Sequence, residues 1–211
     1  MFDFTEEPGE TKVVIPDNVR EIGAACFSQC ENIKEIHMSD SVVVIWDKAF
    51  IFCTELEKIR LSENLFSLGY SSFLGCKSLK QIYIPAEVER IGASSFLFCA
   101  NFESIDVSEN NKRYQSVDGV LFNKNMTELI RYPANKTGEI FEIPDTVEYI
   151  WEGCFFMCNN LKRVIIPDSV KHIAYQAFYG CENLIEATVP KSVQKIEDGV
   201  FDKCDKLKTD I

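Results

Sequence analysis

The sequence predicts a repeat solenoid, in which short coils stack into a right-handed superhelix. We expect a parallel β-ladder on one face and short helical or 3₁₀ turns on the other. Two segments carry the prediction: LKRVIIPDSVKHIAYQAFYGCEN, which starts at Leu161, closely repeats LKQIYIPAEVERIGASSFLFCAN, which starts at Leu79. A hydrophobic content of 46% is enough for a buried core, and a charged content of 26% is enough for a polar surface.

One cysteine and one phenylalanine mark each 23-residue coil. The cysteines are Cys30, Cys53, Cys76, Cys99, Cys158, Cys181 and Cys204, and the phenylalanines three residues earlier are Phe27, Phe50, Phe73, Phe96, Phe155, Phe178 and Phe201. Because a single coil leaves its apolar edges open, several coils must stack before any is stable. These two rows are therefore expected to form the structural core.

Each coil begins with a strand. In LKRVIIP, Leu161, Val164 and Ile166 point to one side, and the proline ends the strand because it lacks a ladder donor. Val170 and Ile173 then turn a second wall inward. The following AFYGC segment makes the turn that places Phe and Cys in the core.

The register breaks once, at about residues 102–137. Cys99 and Cys158 are 59 residues apart, which is one ordinary coil plus an enlarged coil of 36 residues. Within it, Val120–Phe122 and Leu129–Tyr132 flank the polar turn NKNMTE and predict a β-hairpin. The hairpin is either a structural variant of the coil or a protrusion for recognition, because insertions in repeat proteins often lie on a binding face.

The nine cysteines allow three interpretations. Adjacent strands would bring neighbouring cysteines within disulfide distance, and the C-F-x-x-C spacing of Cys26 and Cys154 resembles half of a metal site. Reduced, apolar core cysteines are favoured, because the cysteine follows the core phenylalanine at a fixed step and free cysteine is commonly buried. We expect no metal and no cofactor.

The IPDSV, IG and AF..C elements of the repeat resemble the BspA-like leucine-rich repeat family, seen in surface and intracellular proteins of gut bacteria and some protozoa. The resemblance implies a leucine-rich-repeat solenoid and a role in protein recognition, either adhesion to host proteins or interaction scaffolding. We predict one domain over residues 12–211, with about eight repeats, and an N-terminal cap at 1–11. The ends predict a ninth strand at LKTDI and possible end-to-end self-association, because open sheet edges attract further strands.

Charge and motifs exclude several functions. A formal net charge of −11 argues against nucleic-acid binding, and no apolar run is long enough for a membrane span. The only histidines, His37 and His172, lie on distant coils, and no phosphate loop or hydrolase motif occurs. The sequence therefore predicts a protein that is not an enzyme.

The outward positions of the strands are the candidate binding face. The predicted binding residues are Lys58, Arg60, Gln81, Tyr83, Ser104, Asp106, Ile140, Glu142, Arg163 and Ile165. A row of acids follows the strand ends: Asp17, Asp40, Glu63, Glu87, Glu109, Asp145 and Asp168. That row is either turn chemistry or an acidic ridge for a basic partner.

The leading hypothesis is a non-enzymatic scaffold that binds a protein partner through the strand face, and the net charge of −11 favours a basic partner. The alternatives are a cytoplasmic immunity- or inhibitor-type protein that neutralises a basic toxin or nuclease, and a fragment of a surface adhesin. The first residues have neither the basic start nor the apolar core of a signal peptide, which favours the cytoplasm. A cell-surface or secreted location is the alternative if an export signal has been removed.

Overall fold

The computed structural model describes residues 11–208, which form a parallel β-solenoid of about eight turns. Except for Thr11, the predicted N-terminal cap lies outside the described residues, and so does the end of the predicted ninth strand, beyond Lys208. None of the described residues belongs to a helix that could cross a membrane.

Eight strands form the strand face. They are β1 (Lys12–Ile15), β3 (Glu35–Met38), β5 (Lys58–Arg60), β7 (Gln81–Ile84), β9 (Ser104–Val107), β13 (Ile140–Glu142), β15 (Arg163–Ile165) and β17 (Glu186–Thr188). Paired strands are parallel, with residues 23 apart opposite each other, as in Lys12↔Glu35 and Gln81↔Ser104. Side chains alternate between core and solvent, so that Ile82 is buried and its neighbours Gln81 and Tyr83 are exposed.

Two-residue strands, arranged in two separate ladders, form the short-strand wall. Its members are β2 (Glu21–Ile22), β4 (Val44–Ile45), β6 (Ser67–Leu68), β8 (Arg90–Ile91), β14 (Tyr149–Ile150), β16 (His172–Ile173) and β18 (Lys195–Ile196). The second residue of each is apolar, and it is buried in every strand except β18. These strands are the second inward wall that the Val and Ile spacing predicts.

The turns that carry Phe and Cys are not helical, so the predicted short helical or 3₁₀ turns are not found among the described residues. The N–H groups of Ala25, Phe27 and Gln29 donate to carbonyls of the next coil at 2.8–3.0 Å, whereas that of Cys26 donates three residues back. Ala25 and Gln29 have φ values of 53° and 60°, and the same two positions recur in the other regular coils. Left-handed residues stop a helix, and alternate N–H groups join the coils instead.

The core consists of stacked phenylalanine rings and thiols. The ring centroid of Phe50 lies 5.2 Å from those of both Phe27 and Phe73. The centroids of Phe155 and Phe178 are 4.5 Å apart. Of the fourteen predicted core residues, Phe201 and Cys30 are half-buried and the other twelve are buried. Each buried thiol from Cys53 to Cys204 in this row donates to a phenylalanine or tyrosine carbonyl of the preceding coil. The two rows therefore run through the interior.

The enlarged coil forms a three-stranded antiparallel meander. Its strands are β10 (Tyr114–Val117), β11 (Val120–Asn123) and β12 (Glu128–Arg131). The β11–β12 hairpin is the predicted one. The β10–β11 hairpin was missed, although its turn residues Asp118 and Gly119, with φ of 49° and 73°, are a strong hairpin signal.

The meander interrupts the strand face, which is therefore not one continuous surface. Ile105 N–H donates to Gly119 O at 2.9 Å, and Val107 N–H donates to Ser116 Oγ at 3.1 Å, so that the meander caps the edge of β9. Among the described strands, β13 contacts only β15. The apolar core divides at the same place into one cluster before the meander and one after it, with meander residues in both.

Candidate functional site

The strand face opens between β5 and β7. The two strands are neighbours, but no backbone hydrogen bond joins them in the described chain. The same coils stay joined elsewhere, by Gly92 N–H to Leu68 O at 2.8 Å and by Ser78 N–H to Thr54 O at 3.1 Å. The separation leaves a groove of about 730 Å³ on the strand face.

Unpaired charges from three coils line this groove around an exposed aromatic ring. Lys58 lies on β5, Lys80 precedes β7, Glu103 precedes β9 and Asp106 lies on β9. None of these four groups has an ion pair within residues 11–208. Tyr83, on β7 between the lysines and the acids, is 46% exposed. The groove therefore offers cations on one side, acids on the other and an aromatic surface between them.

Glu35 is occupied by partners within the protein. It accepts hydrogen bonds from Lys12 Nζ at 3.3 Å and is 2.6 Å from His37 Nε2. The Lys12 hydrogen bond is the main cause that lowers the pKa of Glu35, and the His37 charge and hydrogen bond contribute. Glu35 and His37 therefore form an internally satisfied end of the groove.

Arg60 is likewise held by the neighbouring coil. Its Nη1 donates to Met38 O at 2.6 Å, and its Nη2 donates to Asp40 Oδ1 at 3.0 Å. The Glu63 N–H, which also donates to Asp40 at 3.0 Å, is the largest cause of the lowered pKa of Asp40, ahead of Arg60. Arg60 is a predicted binding residue, and in the structure it lines the groove while Met38 and Asp40 hold its guanidinium.

The predicted binding residues fall into three groups. Those that line the groove are Lys58, Arg60, Gln81, Tyr83 and Asp106. Ser104, on β9, is half-buried beneath Gly119. Ile140, Glu142, Arg163 and Ile165 are exposed on β13 and β15, beyond the meander. The structure therefore brings the first group together and separates it from the last four residues.

Asp40 is the best-connected member of the predicted acidic row, and all seven acids are exposed. Asp40 accepts the backbone N–H of the next coil, which is a turn role. No group of three or more metal-ligating side chains occurs in the described ranges.

Sequence reasoning missed a second polar row, on the short-strand wall. Its pairs are Trp46 Nε1 donating to Glu21 Oε2, Trp151 Nε1 donating to Glu128 Oε2, and His172 Nε2 bonded to Glu197 Oε1, each at 2.8 Å. Hydrogen bonds from Lys195 and then His172 lower the pKa of Glu197 to about 2. The available signal was that Trp46, Trp151 and Glu197 replace the repeat's glycine.

The sequence model of the BspA-type leucine-rich repeat region matches in six copies, over residues 3–126 and 134–210. The chain belongs to this family. The unmatched residues 127–133 contain the whole of β12, which is part of the meander that breaks the repeat. No curated protein sequence matches the chain significantly.

Solved structures of other proteins share this fold. A leucine-rich repeat protein from Eubacterium ventriosum is 31% identical with a TM-score of 0.81, covering 94% of this chain and 59% of its own. The pneumococcal vaccine antigen PcpA is 24% identical with a TM-score of 0.63, covering 89% and 63%. The leucine-rich repeat protein of T. pallidum is 25% identical with a TM-score of 0.53, covering 94% and 78%. The chain thus spans less than two thirds of the first two proteins.

Proposed function

We propose that this BspA-like protein is a non-enzymatic scaffold that binds a protein partner in the groove between β5 and β7. The observation that carries the proposal is the set of unpaired charges, Lys58, Lys80, Glu103 and Asp106, around the exposed ring of Tyr83. Tyrosine at the centre of a polar site is typical of interface hot spots. Unpaired charges bind a complementary surface without first breaking an internal ion pair.

The charge order of the groove sets the chemistry of the partner. Acidic groups of the partner would lie against Lys58 and Lys80, and basic groups against Glu103 and Asp106. The net charge of −11 adds long-range attraction for a partner that is basic overall. Association should therefore slow as the salt concentration rises.

The groove supports binding better than catalysis. His37 and Glu35 are its only His–carboxylate pair, and no serine, threonine or cysteine hydroxyl or thiol is bonded to either in residues 11–208. A general base without a positioned nucleophile lacks half of a nucleophilic catalytic site. Proteins of this repeat family are generally scaffolds.

Affinity purification from the source cells, quantified by mass spectrometry, tests the proposal. Tyr83→Ala should reduce recovery of the principal partner at least tenfold, because an interface tyrosine commonly contributes about 2 kcal/mol. Tyr175→Ala is the matched control, since Tyr175 is 44% exposed and lies outside the groove. Equal losses for both variants, or none for either, would contradict a partner site in the groove.

Two further expectations need separate measurements. Cell fractionation followed by immunoblotting distinguishes the cytoplasmic from the surface location. Analytical ultracentrifugation over a hundredfold concentration range tests end-to-end self-association, which predicts a rising sedimentation coefficient. No described feature favours the inhibitor-type alternative over the scaffold.

A further inference from the structure

The edge of β13 that faces the meander carries unpaired backbone groups. Arg163 N–H donates to Glu139 O at 3.0 Å, and Ile143 N–H donates to Ile165 O at 3.0 Å, so β13 bonds to β15 through alternate residues. In a parallel ladder, the N–H and C=O groups of Ile140 and Glu142 must then point away from β15. Within the described residues, no hydrogen bond is made by these four groups.

At the junction between β9 and β13, the edge of β9 is covered and the edge of β13 is open. Gly119 and Ser116 cap the backbone of β9, as described above, but no strand of the described chain contacts β13 on its open side. Residues 137–140 are all exposed, and Ile140 is 54% exposed. An exposed strand with free N–H and C=O groups is a template for another strand about 4.8 Å away.

The charges around this edge select the occupant. Lys136 pairs with Asp118 at 2.8 Å, and Lys162 pairs with Glu139 at 2.5 Å. Arg163 pairs with Glu186 at 2.9 Å. The basic side chains near the edge are thus already neutralised.

The acidic side chains near the edge, in contrast, are not paired with an opposite charge. Glu142, and Asp145 just after β13, have no ion pair in the part of the chain that the structure describes. Glu142 is exposed on the same side of β13 as Ile140. A basic side chain would be attracted to this position, and an apolar one would cover Ile140 two residues away.

We propose that the open edge of β13 binds an extended, basic segment of a partner protein by β-strand addition. The backbone of the segment pairs with Ile140 and Glu142, an aliphatic side chain packs on Ile140, and a Lys or Arg two positions along lies beside Glu142. The inference rests on the proposed function in that the occupant is a protein, but it uses a surface separate from the groove. The two proposals can therefore fail independently.

Hydrogen exchange resolved by NMR tests the open edge in the free, full chain. The amides of Ile140 and Glu142 should exchange within about tenfold of the unstructured rate, while that of Phe141, bonded to β15, should exchange at least a hundredfold more slowly. Protection of Ile140 and Glu142 comparable to that of Phe141 would overturn the proposal.

A display library of random nonapeptides, selected on the full chain, tests the occupant. Enriched peptides should carry an aliphatic-x-Lys or aliphatic-x-Arg pattern. Ile140→Pro removes the edge N–H without removing a bond to β15 and should weaken binding at least tenfold relative to Ile140→Ala, the control that keeps the N–H. Glu142→Gln should weaken binding several-fold, and Tyr83→Ala, in the groove, should leave it unchanged.

A second readout does not depend on the folding of any variant. The selected peptide, N-methylated at its edge-facing amides, should lose at least tenfold in affinity for the wild-type chain, whereas methylation of the alternate amides should not. An empty selection, peptides without basic residues, or equal binding by the two methylated peptides would overturn the proposal.

Discussion

Phe50 lies in the middle of the first ring stack, and its replacement by alanine tests how strongly the coils depend on one another. The side chain is fully buried, and its centroid is 5.2 Å from those of both Phe27 and Phe73. A buried Phe→Ala change costs about 3–5 kcal/mol, and the loss of two ring pairs places Phe50→Ala near the upper end of that range. Phe201 is half-buried and stacks on Phe178 alone at 5.2 Å, so Phe201→Ala should cost about 1–2 kcal/mol.

Urea denaturation followed by circular dichroism measures both free energies of unfolding. Phe50→Leu is the control that keeps most of the buried volume and loses the ring pairs, and it should cost about 1–2 kcal/mol. Equal costs for Phe50→Ala and Phe201→Ala would refute the reasoning, because stability would then not depend on having a neighbouring coil on both sides.

Three further changes test other parts of the structure. Gly75→Ala should lower the free energy of unfolding by about 2 kcal/mol in urea denaturation, because φ is +77° and a Cβ would lie 2.3 Å from Phe52 Cδ1. Burial raises the pKa of the Cys99 thiol to about 12, so between about pH 9 and pH 12 the unfolded thiol ionises and the folded one does not. The contribution of this thiol to the free energy of unfolding is therefore fully present below pH 9 and should fall by about 1.4 kcal/mol per pH unit above it. Urea denaturation at pH 8 and pH 10 measures the loss. Arg131 is buried, and its only described hydrogen-bond partner is the Gly153 carbonyl. Because burial of a charge is costly, Arg131→Met should leave the thermal stability unchanged or raise it.

Each of these changes has a matched control. In a Phe52→Ala background, Gly75→Ala should cost only about 1 kcal/mol, from the left-handed backbone, and an undiminished cost would contradict the clash. Cys99→Ala should reduce the alkaline slope; an unchanged slope would mean that other groups titrate. Arg131→Ala should destabilise through its cavity, and an equal loss for Arg131→Met would show that the charge itself stabilises the fold.

The regular coils were predictable because one period fixes every contact. Aligning cysteines 23 residues apart also aligns Val14, His37 and Arg60, which the structure pairs directly. The ring stack follows from the same alignment, since a residue at a fixed register in a parallel ladder lies above its equivalent. Strands, core and outward positions could therefore be read from the repeat.

The departures arise from features that the repeat consensus does not encode. The turn conformation depends on left-handed residues such as Phe52 and Phe98, bulky types that do not signal positive φ in a sequence. The groove depends on hydrogen bonds that β5 and β7 do not make, although both follow the consensus. The open edge depends on how the meander folds, and its residues have no counterpart in other coils.

The division of the apolar core at the meander has a mechanical consequence. Tension along the axis of the stack would pass from β9 to β13 through the meander, because the two strands share no ladder bonds and the meander is held to β9 by hydrogen bonds such as that from Ile105 N–H to Gly119 O. We expect the meander to separate from β9 and unfold first, which would leave two blocks of stacked coils joined by an extended chain.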